Sequence, residues 1–222
     1  MTALPVTEAY RIWAPVYDAQ PNPLLALEER LLMSQLMFHP RQRVLDVATG
    51  TGRWLAHALD RRVNAVGVDI SPEMLAKASL KRGLPGRLAL GDLSDLPFAD
   101  DSVDLTICSF ALSYVEQPFK AFAEFARVAR TLILSDMHPL AERSGWSRAF
   151  RVEGQSYRLR HFPHTLQEIA LAAHHAGFRS CWSMEAPFGE PERTFFESEE
   201  RAAWFASVRY TPAIYISSWE RQ

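Results

Sequence analysis

Val44-Leu45-Asp46-Val47-Ala48-Thr49-Gly50-Thr51-Gly52-Arg53-Trp54 decides how this chain reads: an apolar strand closes on an acid, passes through a glycine turn and enters a helix. Gly50 and Gly52 permit a tight turn and remove the Cβ atoms that would hold a ligand away from the backbone. Strand, glycine turn and helix in that order form a nucleotide-site signature. The dinucleotide fingerprint G-x-G-x-x-G is not completed, because its third glycine would fall at position 55, which is Leu55. Asp46, just before the loop, would sit poorly beside a pyrophosphate and suits a cationic ligand better.

Outward from the loop, a helix over about Trp54 to Leu59 leads to a second apolar run, Val63 to Asp69. An acid at the end of a second strand, roughly 20 residues past the glycines, can accept both hydroxyls of a ribose. Ser71-Pro72-Glu73 then opens a helix with an N-cap, a proline at its first position and an acid in its first turn. A third run, Leu88-Ala89-Leu90-Gly91-Asp92-Leu93, also closes on an acid and is followed by Leu96-Pro97-Phe98. Asp46, Asp69 and Asp92 thus stand at the carboxyl ends of successive strands, where an open α/β sheet binds ligands.

With these blocks in order, the chain resembles the class I S-adenosylmethionine-dependent methyltransferases, in particular the small-molecule branch with a D-x-x-x-G-x-G loop and a G-D-x-x-x-L-P-F segment. The resemblance implies a seven-stranded, mostly parallel Rossmann-like sheet with an antiparallel last strand and helices on both faces. It implies S-adenosyl-L-methionine as cofactor. Gly50 and Gly52, with Ala48 and Thr49 of the same loop, would contact its amino-acid end, and Asp46 would support its ammonium directly or through water. Asp69 would hold the ribose, Ile70 and Met74 would pack on the adenine, and Asp92 with Leu93 would flank the ring and its amino group. The block Thr106 to Val115 aligns with the strand ending beneath the sulfonium, which makes Ser109 a backbone contact and places Tyr114 at the substrate. A Pro-Gly-Gly turn common in relatives before the fifth strand is missing, since Arg127-Val128-Ala129-Arg130 runs straight into Thr131 to Asp136.

The rest of the chain supplies the expected surroundings. A helix is predicted over Phe119 to Arg130, another over Thr165 to Ala176 with Gly177 as its stop, a sixth strand over Phe178 to Met184 and a seventh over Ala213 to Trp219. The expected organisation is one methyltransferase domain over 1–222: a cap over 1–40, the cofactor half over 41–136, a lid insertion over 137–164 and the rest of the sheet over 165–222. The cap, which resembles one that relatives fold across the cofactor, carries Tyr17, expected at the cofactor, Tyr10, expected at the substrate by the methyl-donor end, and an amphipathic helix through Leu36. Phe150 to Leu159 alternates around Glu153-Gly154 and predicts a two-stranded flap over the mouth.

Composition restricts the function classes. With 222 residues, 48% hydrophobic content and a net charge of −2, the chain offers no electrostatic case for nucleic acid or an acidic membrane. A small neutral or amphipathic substrate is favoured, and the oligomeric state stays open. Met1 to Val6 has no signal-peptide pattern and no apolar run reaches spanning length, so a cytoplasmic location is expected. Cys108 and Cys181 fall inside predicted strands and are expected as buried thiols.

Methyl transfer needs in-line approach and exclusion of water, and a base only where the acceptor hydroxyl is poorly acidic. His138, directly beyond the fifth strand, is the first candidate for base or orienting residue; His161 and His164 follow as substrate-binding candidates. The three lack compact ligand spacing, so no metal is expected. His39, His57, His174 and His175 are expected at the surface. The rival readings are an NAD-dependent oxidoreductase, disfavoured by Leu55 and Asp46, and a cofactor-binding regulatory or scaffold protein with a dead substrate pocket.

Overall fold

The structure, a computed structural model, describes residues 3–222. In chain order the elements are β1 (Ala3–Leu4), α1 (Val6–Trp13), α2 (Pro23–Gln35), β2 (Arg43–Val47), α3 (Arg53–Asp60), β3 (Asn64–Asp69), α4 (Pro72–Ala78), β4 (Leu88–Leu90) and β5 (Val103–Ser109). There follow α5 (Pro118–Val128), β6 (Ala129–Met137), α6 (Pro139–Arg143), β7 (Ala149–Val152), β8 (Gln155–Leu159), α7 (Leu166–His175), β9 (Phe178–Ala186), α8 (Glu199–Val208) and β10 (Ile214–Arg221).

Seven strands form the main sheet in the order β4-β3-β2-β5-β6-β10-β9. The pairs from β4 to β6 are parallel, and β10 is antiparallel to both β6 and β9. The sheet is buried on both faces, so strict alternation sends neighbouring side chains into different cores. Leu45, Val47, Cys108, Leu132 and Leu134 pack with Phe122 and Phe125 of α5 and Ile169 of α7. Val44, Leu105, Ile107, Ile133, Ile214 and Ile216 pack instead with Leu27 and Leu32 of α2 and with Trp54 and Leu55 of α3. Leu55, which occupies the missing third-glycine position, is therefore a core residue.

Local chemistry sets the helix starts. Ser71 accepts from the Met74 N–H with Pro72 following, Asn22 caps α2 at Leu24 N, and Thr165 with Glu168 closes a capping box on α7. Each such cap contributes about 1 kcal/mol. Gly177 ends that last helix with φ +87°. Helix α5 passes directly into β6 at Val128–Ala129, in keeping with the absent Pro-Gly-Gly turn.

Three features differ from expectation. The flap is three-stranded, because β1 from the amino terminus pairs in parallel with β8 beside the β7–β8 hairpin. A helix, α8, and the 3-10 turn Glu190–Phe195 lie between β9 and β10, where no element was expected. Cys108 is buried, but Cys181 is exposed, because β9 is the edge strand and its outer residues face solvent. Among the described residues, no helix is long and apolar enough to cross a membrane.

Candidate active site

A cavity of about 1080 Å³ runs along the crevice outside the carboxyl ends of the parallel strands. Its lining includes every residue expected at the cofactor: Tyr17, Asp46, Ala48, Thr49, Gly50, Gly52, Asp69, Ile70, Met74, Asp92, Leu93 and Ser109. Single ligands usually fill roughly 300–1000 Å³, so this volume suits two molecules side by side.

The glycine loop is held by the two acids that flank it. Thr49 Oγ1 and the Leu55 N–H donate to Asp46 Oδ2 at 2.6 and 2.9 Å. The Asp46 Oδ1 atom takes no donor among the described residues. Burial pushes the Asp46 carboxyl up to about 7, against the opposing pull of those hydrogen bonds. Asp69 accepts from Gly50 N at 2.7 Å and from Ser71 N at 2.8 Å, one bond to each oxygen, leaving lone pairs on both for a ligand. Burial raises its pKa as well, again opposed by these backbone bonds. Gly50 has φ +57° and Gly52 φ +85°. Their roles separate: a Cβ on Gly52 would run into Leu84 of the core, whereas one on Gly50 would meet only Met74 on the cavity wall.

These residues fit S-adenosyl-L-methionine. Asp46 is a buried carboxylate with a free oxygen for an ammonium, Asp69 is an acceptor pair for a ribose, and Ile70, Met74 and Leu93 provide apolar walls for a base. The amino-terminal cap closes over this half. Asp18 accepts from Thr51 Oγ1 at 2.6 Å and pairs with Lys81 at 2.8 Å, and Trp13 stacks on Phe150 of β7. Arg53 bonds Ser109 Oγ at 3.1 Å and pairs with the fully buried Glu28, which also accepts from Ser135 Oγ.

Beyond Ser109 the cavity turns to a second polar cluster. Arg148, in the segment before β7, pairs with Asp136 of β6 and donates to the Phe110 carbonyl at 3.0 Å and to Tyr114 Oη at 3.2 Å. Tyr10 Oη donates to the same Tyr114 oxygen at 3.1 Å. The guanidinium lies 4.9 Å from the Tyr114 ring centre and 5.5 Å from that of Phe110. Asp136 also accepts from the Ser113 and Met137 N–H groups, at 3.0 and 2.7 Å, besides Arg148. Tyr10, Tyr114 and Arg148 all line the cavity; Asp136 lies behind them.

The three histidines do not. His138 is buried and caps α6: its Nδ1 accepts from Leu140 N at 3.0 Å, and its Nε2 meets Glu185 at 2.7 Å. Both ring nitrogens are engaged away from the cavity, so the expectation of a base there is corrected. His161 sits 3.3 Å from the Leu159 carbonyl, and His164 bonds the Val115 carbonyl at 2.8 Å; neither lines the cavity. His39, His174 and His175 are exposed, and His57, half-buried, pairs with Glu29. Arg148 and Arg53 were missed by the sequence reading. Arg148 belongs to no local pattern, and Arg53, although it follows the glycine turn directly, takes its role from partners on distant elements.

A model of the methyltransferase domain matches residues 45–131. A demethylmenaquinone methyltransferase of Renibacterium salmoninarum is 31% identical over 211 residues, covering 91% of this chain and 82% of the relative. One of Deinococcus radiodurans is 33% identical over 222 aligned positions, covering 90% and 88%. An S-adenosylmethionine-dependent methyltransferase structure from Mesorhizobium loti superposes with a TM-score of 0.69 at 21% identity, over 90% of this chain and 100% of that one. The chain belongs to the class I S-adenosylmethionine-dependent methyltransferases, enzymes whose cofactor is S-adenosyl-L-methionine.

Proposed function

We propose that this methyltransferase acts on a small organic molecule bearing a hydroxyl on an aromatic or enolic ring, methylating that oxygen or a ring carbon that the oxygen activates. The observation that carries this reading is the hydrogen bonding of Tyr114. Its oxygen accepts from both Tyr10 and Arg148, so its own proton is free to be donated into the cavity. Two donors on one hydroxyl strengthen that hydroxyl as a donor in turn. A donor so arranged stabilises the oxyanion that a phenol or enol becomes as it turns nucleophilic. A carboxylate acceptor fits less well, because Asp136 already balances the charge of Arg148. The name of the two relatives, demethylmenaquinone methyltransferase, points to a quinoid acceptor, and the dihydroxy form of such a ring belongs to the class this donor set suits.

The cofactor supplies a methyl group on a sulfonium centre. Toward it, Asp46 would take the ammonium, Asp69 the ribose hydroxyls, Asp92 the adenine amino group, and Ile70, Met74 and Leu93 the ring faces. Ala48, Thr49, Gly50 and Gly52 would hold its amino-acid end, Tyr17 would cover it from the cap, and Ser109 would serve the methyl-donor end. The cap and flap exclude water, and orientation supplies most of the acceleration.

The test is transfer of labelled methyl to a panel of phenols, hydroquinones, carboxylic acids and amines. Transfer to the hydroxylated rings is expected, with Tyr114→Phe lowering turnover about 10²-fold while affinity for S-adenosylhomocysteine stays at the wild-type value. Transfer confined to carboxylates or amines would overturn the reading.

The raised Asp46 pKa gives a second expected result. An ammonium needs the ionised carboxylate, and in the protein alone that carboxyl titrates at about 7. Affinity for S-adenosylhomocysteine should therefore rise about tenfold from pH 6 to pH 8 and level off above, as one linked proton requires. The sign for stability is opposite. The folded protein holds this proton more tightly than the unfolded chain, so ligand-free stability falls as pH rises from the ordinary carboxylate range to about 7. Calorimetric titration at several pH values checks the affinity: Asp46→Asn should flatten the profile, and 5′-methylthioadenosine, which lacks the ammonium, should show none.

A further inference from the structure

Glu28 is the one acid of α2 that is buried, with none of its surface exposed, and no step above uses it. One of its carboxylate oxygens accepts from Ser135 Oγ of β6, and the other pairs with Arg53 at the start of α3. Ser135 stands beside Ser109 in the register of β5 and β6, and Arg53 donates to Ser109 Oγ at 3.1 Å. Four elements thus meet at one ion pair. Arg53 and Ser109 line the cavity, whereas Glu28 lies behind its wall.

A buried ion pair adds little stability beyond what well-packed apolar residues would supply, so its effect has to be sought in the cavity. That effect is electrostatic. Each lysine or arginine of the wall has its own acid: Lys81 has Asp18, Arg148 has Asp136, and Arg53 has Glu28, with Glu29 a further 3.7 Å from its other nitrogen. The Arg53 charge is felt across the cofactor half. Burial raises both the Asp46 carboxyl and the Tyr17 hydroxyl, and at each of them the Arg53 charge pulls the other way. With Glu28 removed, that half would face an unbalanced cation. S-adenosyl-L-methionine carries a sulfonium charge that S-adenosylhomocysteine lacks, so an unbalanced cation would weaken the cofactor relative to the product.

We propose that Glu28 is a positioning residue that sets the preference for the charged cofactor over its uncharged-sulfur product, by holding Arg53 on Ser109 and balancing its charge from behind the wall. The inference rests on the placing of the methyl-donor end at Ser109 and is independent of the acceptor. Glu28 touches neither ligand. Its consequence is that spent cofactor does not outcompete fresh cofactor for the site.

The experiment is calorimetric titration, at one pH, of the wild type, Glu28→Gln, Arg53→Met and the double variant with S-adenosyl-L-methionine and separately with S-adenosylhomocysteine. Glu28→Gln should lower the ratio of cofactor affinity to product affinity by about tenfold, the order of effect of one unbalanced charge beside the cavity. Arg53→Met leaves the acid without its cation and should raise the ratio, an arm that carries the test if Glu28→Gln does not fold. The double variant removes both charges and should return to within about twofold of the wild-type ratio. A pair that merely braces the fold would weaken both ligands alike, so an unchanged ratio with parallel losses in the single variants would overturn the proposal and leave the placing at Ser109 standing. Wild-type affinities for both ligands in every folded variant would overturn that placing as well.

Discussion

Arg148→Met should destabilise the fold by about 3–5 kcal/mol, more than any surface charge in this chain would, because it leaves the Asp136 carboxylate buried and unpaired. The pair is deeply placed, with side-chain exposures of 10% and 2%. Most of the loss belongs to the orphaned acid rather than to the broken contact, so Asp136→Asn/Arg148→Met should recover most of it. Asparagine keeps an oxygen for the Ser113 N–H while carrying no charge. Thermal unfolding of the two variants measures the difference, and equal destabilisation of single and double variants would mean that Arg148 acts through packing on Phe110 and Tyr114 instead. Activity should not return with stability. The double variant still lacks the donor that polarises Tyr114, and its turnover should stay about 10²-fold or more below wild type, with S-adenosylhomocysteine affinity near normal.

That division explains what the sequence revealed and what it concealed. The cofactor half was legible because its determinants are local: an apolar run, an acid at the strand end and a glycine turn occupy adjacent positions, and a parallel sheet buried on both faces leaves that pattern little choice. The acceptor half is built from residues whose meaning arises only on folding. Asp136 and Arg148 are twelve positions apart and look like a strand-end acid and a loop cation until the insertion folds back over β6. His138 shows the reverse error. A histidine at the end of a central strand resembles a catalytic group, but the following Pro139 opens a helix, and the imidazole serves as its N-cap. Local capping chemistry outweighed position in the sheet. Helix α8 escaped notice because it has no buried stripe to give its sequence a period. Cys181 was misplaced because sequence alternation does not say which strand ends at the edge.

Gly50→Val should lower affinity for S-adenosylhomocysteine by at least about a hundredfold, equivalent to roughly 2.7 kcal/mol of binding energy. Two causes act at the same atom. The residue sits at φ +57°, where a β-branched side chain is strained by about 1–2 kcal/mol, and relief would twist the loop away from the N–H that Asp69 holds. A Cβ would also stand 3.3 Å from Met74 Cε, so the methyls beyond it must displace that side chain or enter the cavity. Gly52 supplies the comparison that separates binding from folding. Two positions away, at φ +85°, its added methyl would collide with Leu84 inside the core, so Gly52→Ala should lower the unfolding temperature of the ligand-free protein more than Gly50→Val does. Calorimetry and thermal unfolding on the same two variants test the assignment. An S-adenosylhomocysteine affinity within a few-fold of wild type in folded Gly50→Val would show that the cofactor does not lie against this turn, and the placement of its amino-acid end over β2 would have to be abandoned.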